Sequence, residues 1–241
     1  MTVLIREKNI FSSEELDDIQ ELESHVLLQG QEVSFLWKNN QYWLFSHDPK
    51  EKPISVEIDA EIENHLDFFK KSSLYHELMA KAVGVKPQFR PEVFDLTAGL
   101  LGDSLKLVAM GCKVRAYERN PIVHFLLKYA LKNASHPLIK NLELVYEDAS
   151  NALSRIREHH VVFYDPMFED FNDKAAPKKE MRIFRSVVGV DPDSKILVTK
   201  ILEKKVKRLV IKRPRHSVEL IEKEATKYLG KSIRYDVYFS V

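Results

Sequence analysis

The sequence predicts an α/β protein: a doubly wound, mostly parallel sheet over residues 66–241, with a small N-terminal α+β appendage over residues 1–65. Three observations predict it. From Pro91 onward, apolar β-prone runs alternate with helical stretches, the pattern of strands joined by crossover helices. The first of these runs, Val93–Leu96, opens into a turn bearing Gly99 and then a helix start, the arrangement that places a ligand at the carboxyl end of a strand. Ahead of Pro91 the pattern differs, with a capped helix and two aromatic runs.

In chain order, Ser12-Ser13-Glu14-Glu15 reads as a hydroxyl N-cap followed by first-turn acids, starting a helix that runs to about Leu28. Val33–Trp37 and Gln41–Phe45, separated by Lys38-Asn39-Asn40, form a hairpin. Pro53–Asp59 adds a possible strand, and a helix spans roughly Glu63–Val83, ending at Gly84. Then come Val93–Leu96, Ser104–Met110, Lys113–Glu118, Ile122–Ala134, Glu143–Glu147, Ala149–Glu158 and Val161–Tyr164. Lys178–Val188, Ser194–Lys204, Arg208–Lys212 and Ile233–Ser240 complete the alternation. The last run follows a Leu229-Gly230-Lys231 turn and alternates, so it reads as an antiparallel strand closing the sheet. Val218–Tyr228 reads equally as a helix or as the other arm of that hairpin.

Composition narrows the function classes. The 241 residues suffice for a core without covalent staples, and no apolar run approaches the roughly 18 residues of a membrane span. Arg6, Glu7 and Lys8 stand where a secretory signal places an apolar stretch, so the expected location is cytoplasmic. A single cysteine, Cys112, excludes an intramolecular disulfide, and with only scattered histidines no metal site is expected. His76, His159 and His160 receive no catalytic role.

The net charge of +1 hides an acid-rich first third and two later basic groups. One contains Lys178, Lys179, Arg182 and Arg185; the other runs from Lys204 to Arg215 and includes Lys212 and Arg213. Such groups bind phosphates locally, or they are simply solvated surface.

Around the first turn, Asp95, Gly99, Gly102 and Asp103 form a candidate cofactor loop. The glycines lack the G-x-G-x-x-G order that seats a pyrophosphate, which favours a phosphate-free nucleoside cofactor. Glu118 ends the second strand, where ribose hydroxyls are gripped, and Arg119 follows it. Asp148 reads equally as an acceptor for an adenine amine, with Ala149 leaving room for the ring, and as a helix N-cap.

Val161-Val162-Phe163-Tyr164-Asp165-Pro166-Met167-Phe168 carries an acid, a proline and an aromatic to the same edge. An exocyclic base amine is a weak nucleophile because its lone pair is delocalised. Asp165 and the Pro166 carbonyl are placed to hold its hydrogens and aim the lone pair at a sulfonium methyl, with Phe168 stacking on an extruded base. A strand-ending Asp-Pro turn is the simpler alternative.

Over residues 65–241 the chain resembles the small-subunit ribosomal RNA methyltransferase J family. The matching stretches are Ala80–Gly84, Asp95–Leu100, Gly111–Arg115, Glu118–Pro121, Tyr164–Phe168, Lys178–Phe184 and Val210–Pro214. The resemblance implies a seven-stranded class I S-adenosylmethionine methyltransferase that modifies N2 of a guanine in 16S rRNA, with the small ribosomal subunit as partner. It also implies cofactor contacts at Gly102, Asp103, Glu118, Arg119, Asp148, Ala149 and Asp165. With an RNA substrate, the two basic groups gain a candidate role: Lys178, Lys179, Arg182, Lys212 and Arg213 beside the active edge, positioning phosphates. One departure stands in the loop: the family pattern Gly-Leu-Gly-Arg-Asp appears here as Gly99-Leu100-Leu101-Gly102-Asp103.

Overall fold

A computed structural model describes residues 3–8, 10–28, 33–45, 52–167 and 194–239. In chain order they form β1 (Val3–Arg6), α1 (Ser13–Leu28), β2 (Val33–Lys38), β3 (Gln41–Phe45), α2 (Ile58–Lys71), α3 (Leu78–Val83), β4 (Glu92–Asp95), α4 (Gly102–Ala109) and β5 (Lys113–Glu118). There follow α5 (Pro121–Asn133), β6 (Leu142–Tyr146), α6 (Ala149–Ala152), β7 (Val161–Tyr164), α7 (Ser194–Glu203), β8 (Arg208–Pro214), β9 (Thr226–Leu229) and β10 (Ile233–Phe239). The helix expected at Lys178–Val188 lies outside the described residues.

The contacts divide the chain into two units. One comprises the segment up to Ile58 together with Asn120–Ala134; the other holds Asp59–Arg119, residues 135–167 and residues 194–239.

In the first unit β2 pairs in parallel with β1 and antiparallel with β3. Asn39 and Asn40 both adopt positive φ, 52° and 60°, as the tight hairpin turn demands and as asparagine tolerates better than most residues. The start of α1 is a reciprocal cap: the Glu15 amide donates to Ser12 Oγ at 3.2 Å, and the Ser12 amide donates to Glu15 Oε2 at 2.8 Å. Glu15 also accepts from Lys8 and from the Tyr42 hydroxyl. Burial works to raise its pKa, but these donors outweigh it and hold the carboxyl at about 2. Phe35, Tyr42, Phe125 and Tyr129 interlock around them with ring centroids 4.9–6.0 Å apart. The strand suggested for Pro53–Asp59 reduces to a single antiparallel bridge between Ile54 and Leu44.

In the second unit seven strands form one sheet in the order β6-β5-β4-β7-β8-β10-β9, with β6 to β8 all parallel. β10 runs antiparallel between β8 and β9. The chain leaves β4 outward through β5 and β6, then returns to β7 on the other side of β4, so the β4–β7 boundary is the topological switch point. Phe94, Val162, Leu209 and Tyr238 on the sheet pack with Val198 and Ile201 of α7 to make the core of one face. Among the described residues, no helix is long and apolar enough to cross a membrane.

Three expected elements come out differently. The single helix over Glu63–Val83 breaks after Lys71: Ser72 Oγ donates back to the Phe68 carbonyl, Ser73 leaves the helical region with ψ 125°, Glu77 is extended, and Glu77 is drawn to Lys106 at 2.8 Å. Its end at Gly84 holds, with φ 84°. Ala149–Glu158 is helical only to Ala152. The antiparallel strand β10 is interior, because Thr226–Leu229 is the hairpin arm and takes the edge. No helix forms over Val218–Tyr228. The buried Arg234 guanidinium bonds the Arg215 and Ser217 carbonyls at 2.9 and 2.7 Å, and Arg213 takes the Val218 carbonyl at 2.7 Å, so those groups are withdrawn from helical bonding.

Candidate active site

The carboxyl ends of β4, β5 and β7 bring the central residues together. Asp95, the last residue of β4, is 1% exposed. One of its oxygens accepts from the Thr97 amide at 3.0 Å and from Thr97 Oγ1 at 3.3 Å; the other accepts from Ser104 Oγ at 2.6 Å. Asp95 therefore braces the loop from within. Burial pushes its carboxyl up to about 6, although Ser104 and the Thr97 amide favour the charged form. The folded chain thus holds this proton more tightly than the unfolded chain does. The associated stability is complete below the ordinary value of 3.8 and is lost as pH rises through about 6. Asp95→Asn, whose amide can still accept from Thr97 and donate to Ser104, is expected to lack this loss. Urea unfolding of both proteins from pH 4 to pH 7 checks it, and parallel curves would contradict the assignment.

The loop itself is tightly turned. The Ala98 amide donates to the Tyr117 carbonyl at 2.9 Å, and the Gly99 amide, at φ 52°, donates to Glu118 Oε2 at 3.1 Å. Leu101 sits in the left-handed region at φ 63°, fully buried, in the position where the family pattern carries its second glycine. That conformation costs a non-glycine residue roughly 1–2 kcal/mol. The displaced Gly102 opens α4, and a Cβ there would meet nothing within 4 Å.

Glu118 ends β5 at 6% exposure. A carboxylate accepts up to about four hydrogen bonds, so the one from Gly99 is compatible with ribose hydroxyls. Asp148 is the N-cap of α6, accepting from the Ser150 amide at 2.8 Å and Ser150 Oγ at 2.6 Å. Arg119 reaches its other oxygen at 3.4 Å in a half-exposed pair. Burial raises the Asp148 pKa, but the bonds from Ser150 and Arg119 outweigh it and leave the carboxyl below its ordinary range. Ala149 beside it is half-buried. The capping alternative is realised, and it leaves Asp148 at the same edge as Glu118.

After β7 the chain is joined to this loop directly: the Asp165 amide donates to Thr97 Oγ1 at 2.8 Å. Pro166 is buried, and Tyr164 turns inward to Ser194 Oγ at 3.2 Å. The Lys212 ammonium lies 2.8 Å from Asp165 Oδ2 and 2.6 Å from Asp103 Oδ2. Burial alone would lower the Lys212 pKa; the two carboxylates outweigh it and hold the ammonium above its ordinary range. Tyr235 is opposite Lys212 in the β8–β10 register, and burial, aided by Asp103, raises its phenol.

Two of the expected phosphate contacts are thereby corrected. Lys212 faces two carboxylates, and a phosphate approaching it would have to displace like charge. Arg213 alternates to the other face of β8, is 5% exposed and bonds Ser217 and Val218. Phe168, Lys178, Lys179 and Arg182 lie outside the described residues. Thr97 carries no role in the sequence reading, although the Asp95-x-Thr97 spacing of a side-chain-capped turn marks it.

Among the described residues, Glu92, His159 and His160 bring ligand atoms within 4.8 Å of one another. They lie at the opposite ends of β4 and β7, away from this edge, and His160 Nδ1 already accepts from the Arg157 amide at 3.0 Å.

The donor set selects a cofactor type. Asp103 in the first turn of α4 opposes a pyrophosphate at that helix start, while Glu118, Asp148, Asp103 and Asp165 suit a cationic nucleoside. The residues therefore fit S-adenosylmethionine.

The profile of the SAM-dependent methyltransferase family matches residues 20–240. The ribosomal RNA small subunit methyltransferase J of Bdellovibrio bacteriovorus is 34% identical over 199 residues, 81% of this chain and 77% of that protein. That of Hahella chejuensis is 40% identical over 176 residues, covering 67% and 64%. The one from Proteus mirabilis is 38% identical over 170 residues, 67% and 68%. The crystal structure of a SAM-dependent methyltransferase from Neisseria gonorrhoeae shares the fold with a TM-score of 0.67 at 22% identity, covering 99% of this chain and 95% of that one. With its strand order and its acid-lined loop, the chain belongs to the ribosomal RNA small subunit methyltransferase J family of S-adenosylmethionine-dependent enzymes.

Proposed function

We propose that this enzyme methylates N2 of a guanine in the 16S rRNA of the small ribosomal subunit, in the cytoplasm. The observation that carries the reading is the bond from the Asp165 amide to Thr97 Oγ1, which ties the acceptor motif to the turn expected to hold the cofactor. The names of the relatives, each a small-subunit rRNA methyltransferase, support the substrate.

Bound S-adenosylmethionine supplies an electrophilic sulfonium methyl; the rest is positioning. Glu118 and Asp148 hold the nucleoside end, with Arg119 steadying Asp148 and Ala149 making room for the ring. Gly99, Gly102 and Asp103 line the loop, while Asp95 keeps it in shape. The Asp165 carboxylate and the Pro166 carbonyl accept the hydrogens of the guanine amine, orienting its lone pair in line with the methyl. Phe168 stacks on the flipped base, and Lys178, Lys179 and Arg182 take backbone phosphates, which anchor RNA without choosing the base. Mass spectrometry of 16S rRNA from cells with and without the gene tests the substrate. Loss of one methylguanine in the deletion strain, restored by the gene, is expected, and an unchanged modification map would refute it.

A further inference from the structure

The Lys212 ammonium joins the expected cofactor helix and the acceptor motif through side chains. Its Nζ is 2.6 Å from Asp103 Oδ2 on α4 and 2.8 Å from Asp165 Oδ2 after β7, and its side chain is 23% exposed. β8 neighbours β7, with Ile211 in register with Tyr164, so Lys212 stands alongside the motif on an element that does not itself carry it. We infer that Lys212 is a positioning residue for methyl transfer, fixing the rotation of the Asp165 carboxylate and tying it to the helix that opens beside the cofactor.

This rests on the proposed role of Asp165. An ammonium on Oδ2 restricts the side-chain rotation that would otherwise let the carboxylate swing away from the target amine, and a misplacement of about 1 Å in such an alignment costs on the order of 100-fold in rate. A cation beside Asp165 favours a charged carboxylate there, the form that accepts hydrogens from an amine. Among the described residues, the other titratable groups around the pair are Tyr235 from β10, Asp95 from β4, Glu77 with its partner Lys106, and His65 from α2. Tyr235 and Asp95 are pushed toward their neutral forms, burial being the main cause in each; His65 is pushed the same way by burial. Glu77 is already paired with Lys106. None of them can therefore replace a cation lying between two carboxylates.

The role separates from a phosphate contact in a KM-against-kcat split. Lys212→Met is expected to lower kcat about 30-fold or more while the KM for small-subunit rRNA stays within about threefold, and to move the acid limb of kcat up by about one pH unit. Lys212→Arg, which keeps a cation between the carboxylates and guards against a methionine variant that fails to fold, is expected to return the acid limb to the wild-type position and recover part of kcat. Raised KM with unchanged kcat in either variant would overturn the inference and make Lys212 an RNA contact. A measurement without RNA covers the case of a different substrate: carbon-13 NMR titration of the Asp165 carboxyl in the complex with S-adenosylhomocysteine. A midpoint about one pH unit or more higher in Lys212→Met supports the role even if the wild-type enzyme is silent on this rRNA, a result that removes only the substrate reading. An unmoved midpoint overturns it whichever RNA is used.

Discussion

Replacing Asp165 by alanine is expected to lower kcat by about a thousandfold while leaving S-adenosylhomocysteine binding measurable by calorimetry. The size follows from what the side chain is asked to do. In the proposed reaction the guanine amine attacks only when its lone pair is turned out of conjugation and aimed at the methyl, and the Asp165 carboxylate with the Pro166 carbonyl is assigned that task. The fold should survive, because the Asp165 amide still donates to Thr97 Oγ1 and Lys212 keeps Asp103 as a partner. Turnover within about tenfold of wild type would remove Asp165 from the chemistry.

The second large effect belongs to Glu118. Glu118→Ala removes both the expected grip on the ribose hydroxyls and the acceptor for the Gly99 amide. Two charge-assisted hydrogen bonds are worth about 3 kcal/mol, so the Kd for S-adenosylhomocysteine rises about 100-fold. The lost bond to Gly99 adds a smaller penalty in stability, a fall in Tm of about 2–4 °C. Glu118→Gln keeps one acceptor oxygen, and its Kd falls between the two. Calorimetry and thermal melting on the three proteins separate the effects. A Tm loss with unchanged Kd would make Glu118 a loop brace alone.

Much of this arrangement is legible in the amino-acid sequence. Lys113–Glu118 and Val161–Tyr164 are strands with the bounds read from their apolar runs, and the Asn39-Asn40 turn and the Ser12 cap form where short-range chemistry requires them. Such features are local: a strand period, a cap or an asparagine turn involves residues a few positions apart. The break at Ser72-Ser73 escapes the pattern because helical periodicity continues on both sides of it, and the deciding partner of Glu77, Lys106, lies 29 positions away.

What the sequence alone determined is the alternation of strands and helices, the family, and the presence of Gly99, Glu118, Asp148 and Asp165 at successive strand ends. What only the tertiary structure decided is which charges meet. Lys212 and Arg213 are adjacent in one basic run and look equivalent there, yet the pleat of β8 sends one to Asp103 and Asp165 and the other to the Ser217–Val218 turn. Lys212 and Asp103 are 109 positions apart, and no local pattern records a pairing set by the order in which strands assemble. Leu101 makes the same point for the backbone. Its identity argues against a left-handed turn, and the fold imposes one because its buried side chain and the bonds from Leu101 to Ala98 and from Leu105 to Leu101 outweigh the local strain.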